Sequence, residues 1–169
     1  MPLPQPQSPV TTIETKAFGQ VNVSENQIIT FPSGLPGFPN SRRYALLNSH
    51  LKSPFYCLQC LDDPSLAFLL TEPAAVVPDY RPKNGVNDLK DLQAASLDDL
   101  QILVTLTIPP GRPGEMTANL MSPLLINQAR GLGKQVVVDK PQYSHQHPVI
   151  KTEPGCQSQC YVNESVVND

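Results

Sequence analysis

Short runs of β-branched, aromatic and leucine side chains recur along this chain, each closed by glycine, proline, asparagine or aspartate. "TTIETKAF" precedes "GQVNV", where Val21 and Val23 alternate with polar residues, and "SEN" turns the chain into "QIITF", ending at Phe31. "YALLN", "FYCLQCL" and "LAFLL" follow, the last two separated by the turn chemistry of "DDP". "QILVTLTI" is apolar without alternation, the pattern of a strand buried on both faces. "PPGRPGE" reads as a hairpin tip, "MTANL" and "LLIN" as strands split by Met121-Ser122-Pro123, and "QVVVD" as the closing strand. Only "NDLKDLQAASLDDLQ" has helical spacing, with Leu89 and Leu92 three apart and Ser96 and Asp99 placed as a capping box. About nine strands with one or two short helices predict an all-β, mostly antiparallel, β-barrel-like single domain. Closure of the barrel removes the sheet edges that invite aggregation.

A chain of 169 residues is of single-domain length and buries a core without disulfide or metal. Its 19 prolines exclude long helices over most of its length. The Pro/Gln-rich residues 1–10 are expected to be disordered, residues 11–147 to form the barrel, and residues 148–169 to be a flexible tail. A formal charge of -3 with scattered Lys and Arg argues against a surface that tracks nucleic acid. No apolar run reaches the length of a membrane span, and the N-terminus lacks the basic start and apolar core of a signal peptide, so a cytoplasmic protein is expected.

"FPSGLPGF", Phe31 to Phe38, mixes turn and core chemistry. A phosphate loop would need a following helix and a Lys-Ser/Thr pair, and neither is present. Leu35-Pro36-Gly37-Phe38 fits a type II turn, with Pro36 presetting φ and Gly37 supplying the positive φ, while Gly34 serves the preceding bend. Leu35 and Phe38 then either plug the barrel end or leave part of the loop as an apolar contact site.

Catalytic and metal chemistry is sparse. Cys57 and Cys60 lie three apart in a strand, where side chains face opposite ways and cannot share an ion. Cys156 and Cys160 have no evident scaffold; a four-thiolate zinc site or a redox pair is the alternative reading of the four. His50, His145 and His147 have no neighbouring ligand set, and no serine sits in a G-x-S-x-G elbow. We expect no enzyme activity, cofactor or metal.

Several strings in order resemble the FliW family of bacterial flagellar assembly factors. They are "ETKAFGQVNVSENQIITFPSGLPGF", "FYCLQCLDDPSLAFLLTEP", the pair Asp79-Tyr80, "VTLTIP", "MTANLMSPLLIN" and "KQVVVD", spread over roughly residues 12 to 147. Cys60 stands where a small hydroxyl residue is common, and the Pro-rich start and Cys-containing tail extend beyond the family core.

The resemblance implies a monomeric, cytoplasmic, non-catalytic β-barrel-like protein with two partners. One is flagellin, bound before export through its helical terminal region. The other is CsrA, an RNA-binding translational repressor of flagellin synthesis, which free FliW binds and antagonises. Within the strings, Phe31, Leu35, Phe38, Gln59, Asp62, Phe68, Asn119, Leu120 and Asn127 are the expected partner-binding residues, and Gly34, Pro36 and Gly37 the expected structural turn. The alternative is a small-ligand or flavin-binding split barrel, which requires a basic or Gly-rich phosphate subsite.

Overall fold

The structure, a computed structural model, describes residues 9–16, 18–48, 55–82, 86–138 and 141–149. Among these are eleven strands: β1 (Val10–Thr15), β2 (Gly19–Ser24), β3 (Ile28–Thr30), β4 (Arg43–Asn48), β5 (Phe55–Cys60), β6 (Ala67–Thr71), β7 (Gln101–Thr107), β8 (Thr117–Ala118), β9 (Leu124–Asn127), β10 (Leu132–Gln135) and β11 (His147–Pro148). They are joined by one α-helix, α1 (Val86–Asp91), and short 3₁₀ turns, two of which carry capping boxes, Ser24 with Gln27 and Ser96 with Asp99. The expected tails fall mostly outside the described residues; the described chain is already in β1 at Val10, and β11 ends at Pro148.

The sheet runs β7-β6-β5-β4-β3-β10-β9, and β9 pairs back onto β7, so seven strands close into a barrel. All of its pairings are antiparallel except β3 with β10. Alternation along each strand sends one set of side chains inward. Ile29, Tyr44, Leu46, Leu58, Cys60, Leu70, Leu103, Leu124 and Ile126 fill the interior with Phe31 and Leu35. β10 contributes a glycine there: a Cβ on Gly133 would lie 2.5 Å from Phe31 Cε1 and 2.6 Å from its Cζ. The missing side chain is the space the Phe31 ring occupies.

The outer face is covered as well, which is why several strands read as unbroken apolar runs. The β1–β2 hairpin lays Ile13 and Val23 on Ala45, Leu47, Cys57 and Ala67, whose mostly small side chains let this second layer approach closely. Cys57 therefore faces the hairpin and Cys60 the barrel interior, and they belong to separate clusters. Leu92, from the turn that ends α1, covers Leu125 and Val136. That turn carries Gln93 at φ 54°, with Gln93 N–H donating to Lys90 O at 3.0 Å and Ala94 N–H to Leu89 O at 2.9 Å. A third outer cluster gathers Leu69, Tyr80, Val104, Leu106, Met116, Leu120, Val138 and Tyr143.

Two expected strands differ. "MTANL" is extended in a ladder only at Thr117 and Ala118, and the strand expected in "QVVVD" ends at Gln135. Val136 N–H donates to Pro123 O at 3.0 Å and Val138 N–H to Met121 O at 2.7 Å. Pro123 has no N–H to return, so a regular ladder stops there.

β7 serves three neighbours. Residues 101–103 pair with β9, Val104 and Thr105 with β6, and Leu106 and Thr107 with β8. Beyond Thr105 the ladder with β6 ends, and β8 takes over the edge of β7 that β9 holds at residues 101–103, which leaves a seam at this junction.

Candidate functional site

A groove of about 450 Å³ occupies this seam. Its walls are the Leu35–Phe38 turn, Phe68 from β6, Thr105 and Thr107 from β7, Asn119 and Ser122 beyond β8, and the tip at His145 and Gln146. Three separate strings, "FPSGLPGF", "LAF" and "TANL", thus meet at one surface.

The turn is held by its own backbone. Phe38 N–H donates to Leu35 O at 2.8 Å and Gly37 has φ 86°, the geometry of a type II turn with Pro36 at its second position. The wider loop closes where Phe31 N–H donates to Arg42 O at 2.7 Å. Its two legs touch at Gly34, φ 68°, where a Cβ would lie 2.7 Å from Phe38 O and from Pro39 Cα. The loop N–H groups of Gly34, Leu35 and Phe38 are spent on carbonyls of the same loop and so are not offered to a phosphate.

Aromatic rings carry the turn's position into the core. Phe38 meets Phe68 edge-on at 5.7 Å, Phe68 meets Tyr44 at 6.2 Å, and Tyr44 meets Phe31 edge-on at 5.5 Å. Phe38 and Phe68 are half-buried, so the outer end of this ladder is the part within a partner's reach.

The facing wall is built by hydrogen bonds. Asn119 Oδ1 accepts from Met121 N–H and Ser122 N–H, both at 3.2 Å, and Asn119 N–H donates to Thr105 O at 2.9 Å. Gln135 Nε2 donates to Ser122 O at 2.9 Å, and Tyr80 Oη donates to the Leu120 carbonyl at 2.7 Å. Apart from His145, no ionisable side chain lines the groove. Its surface is about equally apolar and polar, the polar part being hydroxyl and amide groups with the one imidazole.

The groove therefore unites four of the nine expected partner-binding residues: Leu35, Phe38, Phe68 and Asn119. Leu35 is buried, so only its edge contributes. Phe31, Gln59, Leu120 and Asn127 lie elsewhere and are buried out of a partner's reach in this conformation. Gln59 braces the turn at residues 62–65: its Nε2 lies 3.1–3.2 Å from the carbonyl oxygens of Cys60, Asp63, Pro64 and Leu66. Asn127 Nδ2 donates to Leu92 O at 2.7 Å and so fastens the end of α1. Asp62 is exposed on the braced turn, outside the groove. Beside it, Asp63 has its pKa lowered because its carboxylate accepts from Ser65 Oγ and N–H.

Ser122, Thr105, Thr107, Gln135 and His145 line the groove although none was among the expected partner-binding residues. Their polarity reads as surface, and only the splitting of β7 brings them together. Among the described residues, no three His, Cys, Asp or Glu side chains gather as a metal site, and no helix is long and apolar enough to cross a membrane. His50, Cys156 and Cys160 lie outside the described residues.

Comparison with known proteins agrees with the strings. The family model described as "FliW protein" matches residues 12–150. The flagellar assembly factor FliW of Alkaliphilus metalliredigens is 34% identical over 148 residues, covering 87% of this chain and 91% of that protein. That of Treponema denticola is 39% identical over 139 residues, covering 82% and 92%. A crystal structure of the flagellar assembly factor FliW superposes with a TM-score of 0.75 at 34% identity, covering 85% of this chain and 99% of that one. With its strings, its closed barrel and its relatives in agreement, this chain belongs to the FliW family.

Proposed function

We propose that this protein is a non-catalytic flagellar assembly factor of the cytoplasm. It holds flagellin before export and, when free, binds the translational repressor CsrA and lifts its block on flagellin synthesis. The groove in the β7 seam carries this reading. A half-buried aromatic rim, an amide-lined wall and the near absence of charge suit the apolar face of an amphipathic helix. Flagellin's terminal segments, which stay unpaired until they polymerise, offer such a face. Phe38 and Phe68 are the anchors in this reading and Asn119 presents the polar edge. The exposed carboxylate of Asp62 and the formal charge of -3 favour a basic second partner over RNA.

The test is reconstitution by size-exclusion chromatography with purified flagellin and CsrA. Each is expected to co-elute with this protein as a monomer, and flagellin added to the CsrA complex is expected to release CsrA. A stable ternary complex contradicts the exclusion. Gel shifts of flagellin leader RNA with this protein alone should show no band, and a salt-sensitive shift without CsrA contradicts the indirect role.

A further inference from the structure

The β1–β2 hairpin is a sheet of its own, laid on the outer face of the barrel and in no ladder with it. Among the described residues one backbone hydrogen bond ties the two, from Lys16 N–H to Pro64 O at 2.9 Å. Beneath the hairpin, Ile13 and Val23 rest on Ala45, Leu47, Cys57 and Ala67. We propose that the hairpin is a strap that opens as a unit from a barrel that stays folded. It hinges at the 3₁₀ turn Glu25–Gln27, which joins β2 to β3. Opening bares the outer face of β4, β5 and β6, and with it the Cys57 thiol, to small electrophiles.

Three observations support the strap. First, the hairpin satisfies its own backbone. Its two strands pair from Val10 with Ser24 to Thr15 with Gly19, and Glu25 N–H donates to Pro9 O at 3.3 Å across the open end. At the turn, Thr15 Oγ1 donates to Gly19 O at 2.9 Å and accepts from Phe18 N–H at 2.8 Å. Second, the covered face holds a polar fault. Gln59 shares that face with its register partners Ala45 and Ala67, and its Oε1 is buried with no donor among the described residues. A buried acceptor without a donor weakens the closed state, and opening admits water to that face. Third, Ala45, Cys57 and Ala67 offer little apolar area, so the hold rests on Ile13 and Val23. The barrel, by contrast, is laddered all round its closed sheet and has an interior cluster of its own. A unit attached this loosely opens before the rest of the fold. Two thiols report on the two units separately. Cys57, 1% exposed, lies under the strap and Cys60, 0% exposed, inside the barrel, and neither is in a disulfide.

Alkylation of the full chain with iodoacetamide in native buffer tests this, with fragment-ion mass spectrometry reading Cys57 and Cys60 separately. The thiolate sulfur bonds the reagent's methylene carbon and iodide leaves. Each rate is divided by its value in the urea-unfolded chain, and it follows the open population when closing outpaces alkylation. Cys57 is expected to react at least about tenfold faster than Cys60. Ile13→Ala, which removes strap contacts, is expected to speed Cys57 by about tenfold or more. Gly133→Ala, which crowds the barrel interior, is expected to speed Cys60 and leave Cys57 unchanged, because the barrel is folded whether the strap is open or closed. If Gly133→Ala does not fold, the urea dependence of the wild-type rates replaces it. That dependence is expected to be shallower for Cys57, since opening the strap exposes less surface than unfolding the barrel. Equal rates at the two cysteines with equal urea dependence mean that the hairpin leaves only when the barrel unfolds, and overturn the strap. A Cys57 rate that Ile13→Ala leaves unchanged assigns the access to another motion and overturns it as well.

Discussion

The Phe31 ring occupies the space where a side chain on residue 133 would stand, 2.5 Å from the position of its Cβ. Phe31 is only 1% exposed, so its ring cannot swing into solvent to make room. Gly133→Ala should cost about 1–3 kcal/mol by overpacking. Phe31→Leu should recover part of that loss when combined with it, since the two residues share one space. Urea unfolding of the two single variants and the double measures the coupling. Additive losses would mean that the barrel admits the methyl group elsewhere.

The two loop glycines are not equivalent. Both have positive φ, but a Cβ on Gly37 meets nothing within 4 Å, whereas one on Gly34 strikes backbone atoms of residues 38 and 39 at 2.7 Å. Gly37→Val should cost about 1–3 kcal/mol for the strained backbone. Gly34→Ala should cost more than Gly37→Ala, because the legs of the loop must also part. Equal unfolding midpoints for the two alanine variants would contradict the close approach at Gly34.

Tyr44 and Tyr80 tie stability to alkaline pH. Burial is the chief cause pushing both phenols well above their ordinary 10.0; negative charge at Cys60, Asp62 and Asp63 adds to it at Tyr44, and Tyr143 adds to it at Tyr80. The folded state then keeps protons that the unfolded state releases above about pH 10. The contribution is fully present below that pH and is lost as pH rises from there toward the folded values. Urea midpoints should fall with rising pH above 10, and Tyr44 and Tyr80 should become tyrosinate only on unfolding, as read by ultraviolet absorbance. Ionisation of all five tyrosines in the folded protein near pH 10 would contradict the burial.

Asn127 lies 4% exposed with its amide on the last carbonyls over α1, at 2.7 Å from Leu92 O and 3.4 Å from Gln93 O. Asn127→Leu keeps the volume and removes the donor. An abandoned buried carbonyl costs about 1–3 kcal/mol. Hydrogen exchange should quicken in α1 more than in β5, and uniform exchange would place the helix's anchorage elsewhere, with the Lys134 ion pairs as the nearest other tie.

Much of the barrel was legible because its strands are apolar on both faces. "QILVTLTI" read as a strand buried on both faces, and "LLIN" as a strand, for the reason the structure gives: barrel contents on one side, helix or outer cluster on the other. The turn at Gly37 was legible because a positive φ leaves few residue choices. The division of β7 among three neighbours was not, since pairing partners leave no local mark on a strand. The site suffered most from this. Family strings show where sequence is constrained, but not whether a side chain braces the fold or meets a partner. Gln59 and Leu120 belong to such strings and are fully buried, while Gln135 and Thr107 line the groove and look like ordinary surface.

Calorimetric titration of flagellin into wild type, Phe38→Ala and Leu120→Asp tests the central claim most directly. Leu120 is 0% exposed, and a carboxylate there should unfold the protein, whereas Phe38 is half-buried and its loss should leave the fold intact by circular dichroism. Wild type should bind one flagellin, and folded Phe38→Ala should bind at least tenfold more weakly, a hot-spot loss of about 2 kcal/mol. A folded Phe38→Ala that binds flagellin as tightly as wild type would contradict the groove as the flagellin site.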